Sequence, residues 1–162
     1  MKILGIDPGT QRTGWAFIDY DGEVRLVRAG VISRNGVRTS RLAYIWLDLT
    51  EIVAEYLPEV VAIEQGFIGR NPQTALAIGQ AQGIALAAAQ WHNQGQVRPV
   101  HWYANNTAKR SLSGYGKASK EQIQGAALAI YNLVLEEDAA DALAVAHCHL
   151  QQTTAMPLEV VS

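Results

Sequence analysis

The sequence is short of most features that would place it in a class at sight. It has one cysteine, Cys148, in 162 residues, so no disulfide can form within the chain, and a reducing compartment is expected. It has no excess of positive charge: 13 Lys and Arg stand against 15 Asp and Glu, a formal net charge of −2, where nucleic-acid-binding domains are usually basic. It has no apolar run fit to cross a bilayer, because the most apolar stretch, 75–91, is broken by Gln80, Gln82 and Gln90. Met1-Lys2 leads straight into Ile3-Leu4-Gly5-Ile6-Asp7 without the composition of a secretory leader, so a cytoplasmic protein is expected. There is no internal repeat and no linker. One domain over 1–152, followed by a flexible tail over 153–162, is the expectation.

What is present is a core-forming chain: 49% of residues are hydrophobic, which argues against disorder. Lys2 to Asp7 reads as a buried strand stopped by Pro8-Gly9-Thr10. Gly14 to Tyr20 and Val24 to Ile32 read as two more strands, joined at the hairpin signal Asp21-Gly22. Thr39 or Ser40 is placed to cap a helix that reaches Leu57 and ends at Pro58, its apolar positions Leu42, Ile45, Leu49, Ile52 and Tyr56 following helical spacing. Val60 to Ile63 is a continuous apolar run that closes on Glu64, as a central strand would. Asn71-Pro72 opens a helix to about His92 that is rich in Ala and Gly, suited either to tight packing on a sheet or to contact with a symmetry mate. Val97 to Trp102 reads as a strand, with Pro99 arguing for an edge. Asn105 to Leu112 is a short helix. Ser119 and Gln122 form a capping box for a helix expected to bury Ile123, Ala126 or Ala127, Ile130 and Val134. The Ala-rich stretch from Glu136 opens the last helix. This order implies an α/β fold: a mixed five-stranded sheet, its first three strands an antiparallel meander, with helices on both faces.

Carboxylates mark the ends of these elements. Asp7 and Glu64 each close a buried strand, and open α/β sheets bind ligands at that edge. Asp138 and Asp141 stand three apart, so they project from one face of the last helix. Acid in a first helical turn also suits the helix dipole, so this pair alone decides nothing. Four carboxylates drawn together would titrate upward unless cations neutralise them, and the fitting cations are hard ones bound by oxygen. Two such ions about 3.5–4 Å apart form the usual clamp for phosphodiester hydrolysis. His147 and His149, on either side of Cys148, read as packing residues rather than metal ligands.

The motifs Ile3-Leu4-Gly5-Ile6-Asp7-Pro8-Gly9, Ala62-Ile63-Glu64-Gln65 with Phe67, Ala75-Leu76 through Gly79-Gln80-Ala81, and Asp138-Ala139-Ala140-Asp141-Ala142-Leu143-Ala144 closely resemble the RuvC family of Holliday junction resolvases. The resemblance implies an RNase H-like fold, a homodimer, and metal-dependent paired nicks placed symmetrically across a four-way DNA junction in recombination and repair. It implies Mg²⁺ or Mn²⁺, two ions per site, held by Asp7, Glu64, Asp138 and Asp141, and the RuvA–RuvB branch-migration complex as a further partner. The family's basic residues near the cut phosphate fall on Lys109 and Lys120. Arg110 and Lys117 extend that patch in sequence, Phe67 matches an aromatic that stacks at the junction centre, and Arg70 is placed to touch phosphate.

Two departures stand out: the chain is not basic overall, and Glu136 and Glu137 add negative charge just before the last acidic motif. The opening Gly5-Ile6-Asp7-Pro8-Gly9-Thr10 also resembles the first phosphate loop of actin-like ATPases and the start of the YqgF-type RNA nucleases. The ATPase reading needs a second domain, and the YqgF reading lacks the Asp138/Asp141 spacing. A non-catalytic junction-binding module is the remaining alternative.

Overall fold

In a computed structural model, the described residues are 1–66, 71–91 and 97–154. Ten elements follow in order: β1 (Lys2–Asp7), β2 (Arg12–Tyr20), β3 (Val24–Ser33), α1 (Arg38–Tyr56), β4 (Val60–Gln65), α2 (Pro72–Ala89), β5 (Val100–Ala104), α3 (Asn105–Ser113), α4 (Lys120–Tyr131) and α5 (Glu137–Thr154). The strands form one five-stranded sheet in the order β3-β2-β1-β4-β5. β1, β2 and β3 pair antiparallel, whereas β4 runs parallel to both β1 and β5. The expected meander and mixed sheet are both present.

Strand alternation sorts the core into two layers. Leu4 and Ile6 of β1, with Val61 and Ile63 of β4, pack under α1 and α2. Ile3 of β1, with Val60 and Ala62 of β4, packs under α3, α4 and α5. Asp7 has the parity of Ile3, and Glu64 that of Val60 and Ala62, so both acids belong to the α5 layer.

Two glycines let α5 sit directly on the sheet. A Cβ on Gly5 of β1 would lie 2.3 Å from the Ala142 carbonyl oxygen, and one on Gly14 of β2 only 1.8 Å from that of Asp138. Any side chain at these positions would lift α5 away, so the glycines fix the height of its first turns above the ends of β1 and β4. From Ala139 to Leu150 almost every residue of α5 is buried; only Asp141 is less so.

Several boundaries differ from the sequence reading for identifiable reasons. α1 starts at Arg38 with Val37 as an uncapped N-cap residue, so Thr39 and Ser40 lie inside the helix. Its other end does stop before Pro58, with Leu57 in the left-handed region at φ 46°. α4 ends at Asn132, also left-handed, at φ 55°. Val134 therefore lies past the helix and is 88% exposed, not buried, while Ile123 and Ala127 supply the buried stripe. β5 begins at Val100, and Pro99 precedes it, using its carbonyl to accept a hydrogen bond from Val61 N–H at 3.0 Å. The strand is at the sheet's edge, as the proline suggested. α2 has the expected cap, Asn71 Oδ1 accepting from Gln73 N–H at 2.9 Å, with Pro72 in the first turn. Ala81, Ala85, Ala88 and Ala89 of α2 are buried, whereas Gly79 and Gly83 face open space. α5 continues through Thr154, so Thr153 and Thr154 are helical, and the remainder of the expected tail lies outside the described residues. Among the described residues, no helix is long and apolar enough to cross a membrane.

Candidate active site

β1 and β4 are parallel neighbours with Ile6 opposite Ile63, so Asp7 and Glu64 leave the sheet at the same edge. α5 crosses above that edge, and its first turns bring Asp138 and Asp141 to the same place. All four expected acids lie at or beside that edge. Burial, more than any other influence, raises the Asp7 carboxyl well above the ordinary carboxylate range; Glu64, Asp141 and Asp138 push it further, in that order. Glu64 is raised chiefly by burial, opposed by a hydrogen bond that its Oε2 accepts from Asn105 Nδ2 at 3.0 Å. Asp141 is raised by burial too, opposed by Lys109, whose Nζ lies 4.0 Å from Asp141 Oδ1.

The outer part of the cluster is matched by cations. Arg12, at the start of β2, donates from Nε to Asp138 Oδ2 at 2.6 Å and from Nη2 to Glu136 Oε2 at 2.7 Å. Lys120, at the start of α4, is ion-paired with Glu137. Glu136 shares Arg12 with Asp138, and Glu137 carries Lys120. Among the described residues, no three His, Cys, Asp or Glu side chains are drawn closely enough together to hold one ion in common. Asp138 is turned toward Arg12 and Asp141 toward Lys109, so intramolecular cations hold two of the four carboxylates. The donor set itself fits a hard divalent cation: it is all oxygen, it is partly shielded from water, and burial followed by mutual repulsion pushes the carboxyls of its innermost members upward.

The expected DNA-contacting residues divide into three groups. Lys109 reaches the acids, and Lys120 reaches the first turn of α5. Arg110, in the last turn of α3, and Lys117, on the stretch that joins α3 to α4, are both exposed. Phe67 and Arg70 lie outside the described residues. Sequence reasoning missed Arg12 and Asn105. Asn105 could have been found, since it follows β5 as Asp7 and Glu64 follow their strands' apolar runs: Gln65 pairs with Ala104, which puts Asn105 at the same edge. Arg12 gave no such signal, because its partner lies 126 residues away in sequence.

The histidines of α5 are packing residues. Tyr131 Oη lies 2.6 Å from His147 Nδ1, and Tyr103 Oη 2.8 Å from His149 Nδ1. Burial pushes His147 down to about 4 and His149 down as well, the latter helped by His101.

Comparison with known proteins bears on the whole chain. The family model described as "Crossover junction endodeoxyribonuclease RuvC" matches residues 3–149. A protein of that name from Citrifermentans bemidjiense is 45% identical over 155 residues, covering 92% of both chains. One from Geobacter metallireducens is 42% identical over 155 residues, again with 92% of both covered. Among solved structures, "T. thermophilus RuvC in complex with Holliday junction substrate" superposes with a TM-score of 0.81 at 30% identity, covering 96% of each chain.

Proposed function

The chain belongs to the RuvC family of crossover junction endodeoxyribonucleases, and on that footing we propose how its residues carry out the reaction. It is a nuclease that resolves Holliday junctions, and the family is metal-dependent. Asp7, Glu64, Asp138 and Asp141 hold Mg²⁺ or Mn²⁺, two ions per site. When bound, the ions supply an activated water and neutralise charge on the phosphate and the leaving 3′ oxygen. Asp7 is the central ligand: it is the most confined of the four and feels the other three. Asn105 fixes the Glu64 carboxylate by donating to Oε2, which leaves the other oxygen to a ligand. Lys109 neutralises Asp141 in the free protein and is positioned to meet the scissile phosphate once DNA arrives.

Lys120, Arg110 and Lys117 continue the basic track along the α3–α4 side, which positions the backbone without reading sequence. Arg70 touches phosphate and Phe67 stacks at the junction centre, both on the segment after β4. Two copies of the chain act together on one junction, each nicking one of two strands of like polarity. The exposed Gly79 and Gly83 edge of α2 suits close approach of a second copy. The protein acts in the cytoplasm with the RuvA–RuvB complex.

The observation that carries this reading is the shared parity of Asp7 and Glu64 beneath an α5 whose first turn is seated by Gly14. Cleavage of a synthetic four-way junction in Mg²⁺ and Mn²⁺ by the wild type and by Asp7→Asn is the test. Loss of nicking with junction binding retained is expected, since phosphate contacts come from the bases. Nicking by the variant at the wild-type rate would remove Asp7, and with it the site, from the mechanism.

A further inference from the structure

We propose that Arg12 is the resident counter-ion of Asp138, which a divalent cation must displace before that carboxylate can join the metal site. The inference rests on the reading of Asp138 as a metal ligand. Of the four acids, Asp138 has the tightest ion pair, with Arg12 Nε at 2.6 Å. Asp141 meets Lys109 only at 4.0 Å, and Glu64 is met by the neutral amide of Asn105. The second arm of the guanidinium is held by Glu136 at 2.7 Å, so the planar fork is fixed at two points across the entrance to α5.

Exchange needs no opening of the core. The Arg12 side chain is 44% accessible and that of Asp138 is 26%, so rotation of one exposed side chain clears the carboxylate. A metal ion and a guanidinium compete for the same oxygen, and the apparent affinity for metal falls with the fraction of molecules in which the carboxylate is free. Glu136 gives the displaced guanidinium a partner at the rim of the site. This assigns a role to an acid that otherwise only adds negative charge beside the ligands. Metal taken up by the free protein is therefore weaker than the four carboxylates alone would make it, and Arg12 sets the difference.

The experiment is a Mn²⁺ titration of the full chain without DNA, read from the electron paramagnetic resonance of free Mn²⁺ at fixed pH and salt. Wild type is compared with Arg12→Gln, Arg12→Lys and Lys120→Gln. Arg12→Gln is expected to tighten the dissociation constant about three- to fivefold, the size set by a partly exposed ion pair. Lys120→Gln removes the same charge from beside Glu137 without touching Asp138, and less than about a twofold change is expected. Arg12→Lys retains the charge but loses the fork, and it should fall between the two, providing a second variant should Arg12→Gln fold poorly. Equal shifts for Arg12→Gln and Lys120→Gln would reduce Arg12 to one charge among several and overturn the proposal, as would no shift in either Arg12 variant. If wild type and Asp7→Asn take up Mn²⁺ equally, the four-acid site fails and this inference falls with it. If Asp7→Asn abolishes uptake while Arg12→Gln leaves it unchanged, the inference fails alone.

Discussion

The two ends of α5 lie on one continuous helix, yet they treat titratable groups in opposite ways. The first turns place Asp138 and Asp141 beside Asp7 and Glu64, where burial and mutual repulsion raise the carboxyls of Asp7, Glu64 and Asp141. The far half buries His147, Cys148 and His149 and keeps them neutral: burial lowers the histidines and raises the thiol, and a tyrosine hydroxyl meets each imidazole. One end stores electrostatic repulsion that a cation can relieve. The other end avoids charge and holds the helix to the sheet. The repulsive end is tolerated because the same helix is anchored elsewhere, a division expected where stability and function pull apart.

The largest expected effect lies at the acid end. Asp7→Asn should lower junction cleavage on the order of 10³-fold, the scale of several kcal/mol of lost metal assistance. The same change should stabilise the metal-free protein. Asp7 is raised in the folded state, so its contribution to stability is fully present below the ordinary carboxylate range and is lost as pH rises. The amide removes that loss, and thermal denaturation in a chelating buffer should show the variant's advantage growing toward alkaline pH. An Asp7→Asn protein no more stable than wild type at alkaline pH would mean that the acids do not strain the fold.

The seat of the helix comes next. Gly14→Ala would set a methyl group 1.8 Å from the Asp138 carbonyl oxygen, a backbone atom that can move only with the helix. A stability loss of about 3 kcal/mol is expected, the size of a forced overpacking. Mn²⁺ uptake should weaken with it, because both helical acids would rise from the sheet. Unchanged uptake in a destabilised variant would separate the height of α5 from the assembly of the site.

The histidine end should respond to pH with the opposite sign. His147 is lowered to about 4 from the ordinary 6.5. Its contribution is fully present above 6.5 and is lost as pH falls toward 4, so acidification through that window should cost about 3 kcal/mol from this group. The raised acids act in the opposite sense over the same window, so the effect is read as the difference between wild type and His147→Gln in denaturation midpoints measured from pH 7 down to pH 4. The smallest effect belongs to Tyr131→Phe, which takes the hydroxyl from His147 Nδ1 at a cost of about 1 kcal/mol. Mn²⁺ affinity should not change, and a shift there would show the two ends to be coupled.

Much of the site was legible in the sequence, for reasons confined to single elements. A carboxylate that ends an apolar strand needs no tertiary knowledge to be noticed, and two acids three apart on an Ala-rich stretch share a helical face. The architecture followed from element order. Tertiary encounters were not legible. Arg12 looks like any strand-opening arginine until Gly14 lets α5 approach and Glu136 and Asp138 come within its reach. Val134 keeps the spacing of a buried stripe but lies beyond Asn132, whose left-handed backbone ends α4. Asparagine tolerates that conformation better than most residues, so the stop could have been suspected there. At the other extreme, Val37 begins α1 without a side-chain cap, while capable hydroxyls stand inside the helix.

The seating of α5 on β1 and β2 also governs when the protein becomes competent. The ribosome completes the first two strands early, but the helix that covers them emerges only after the other nine described elements. Until then Ile3, Ala16 and Ile18 lack the helix that seats on their strands, and Asp7 and Glu64 lack their helical counterparts. Closing so long a span of chain is the slow kind of contact. Nuclease competence therefore waits for α5, and a polypeptide interrupted before Glu137 would carry half of the acids without the helix that brings them together.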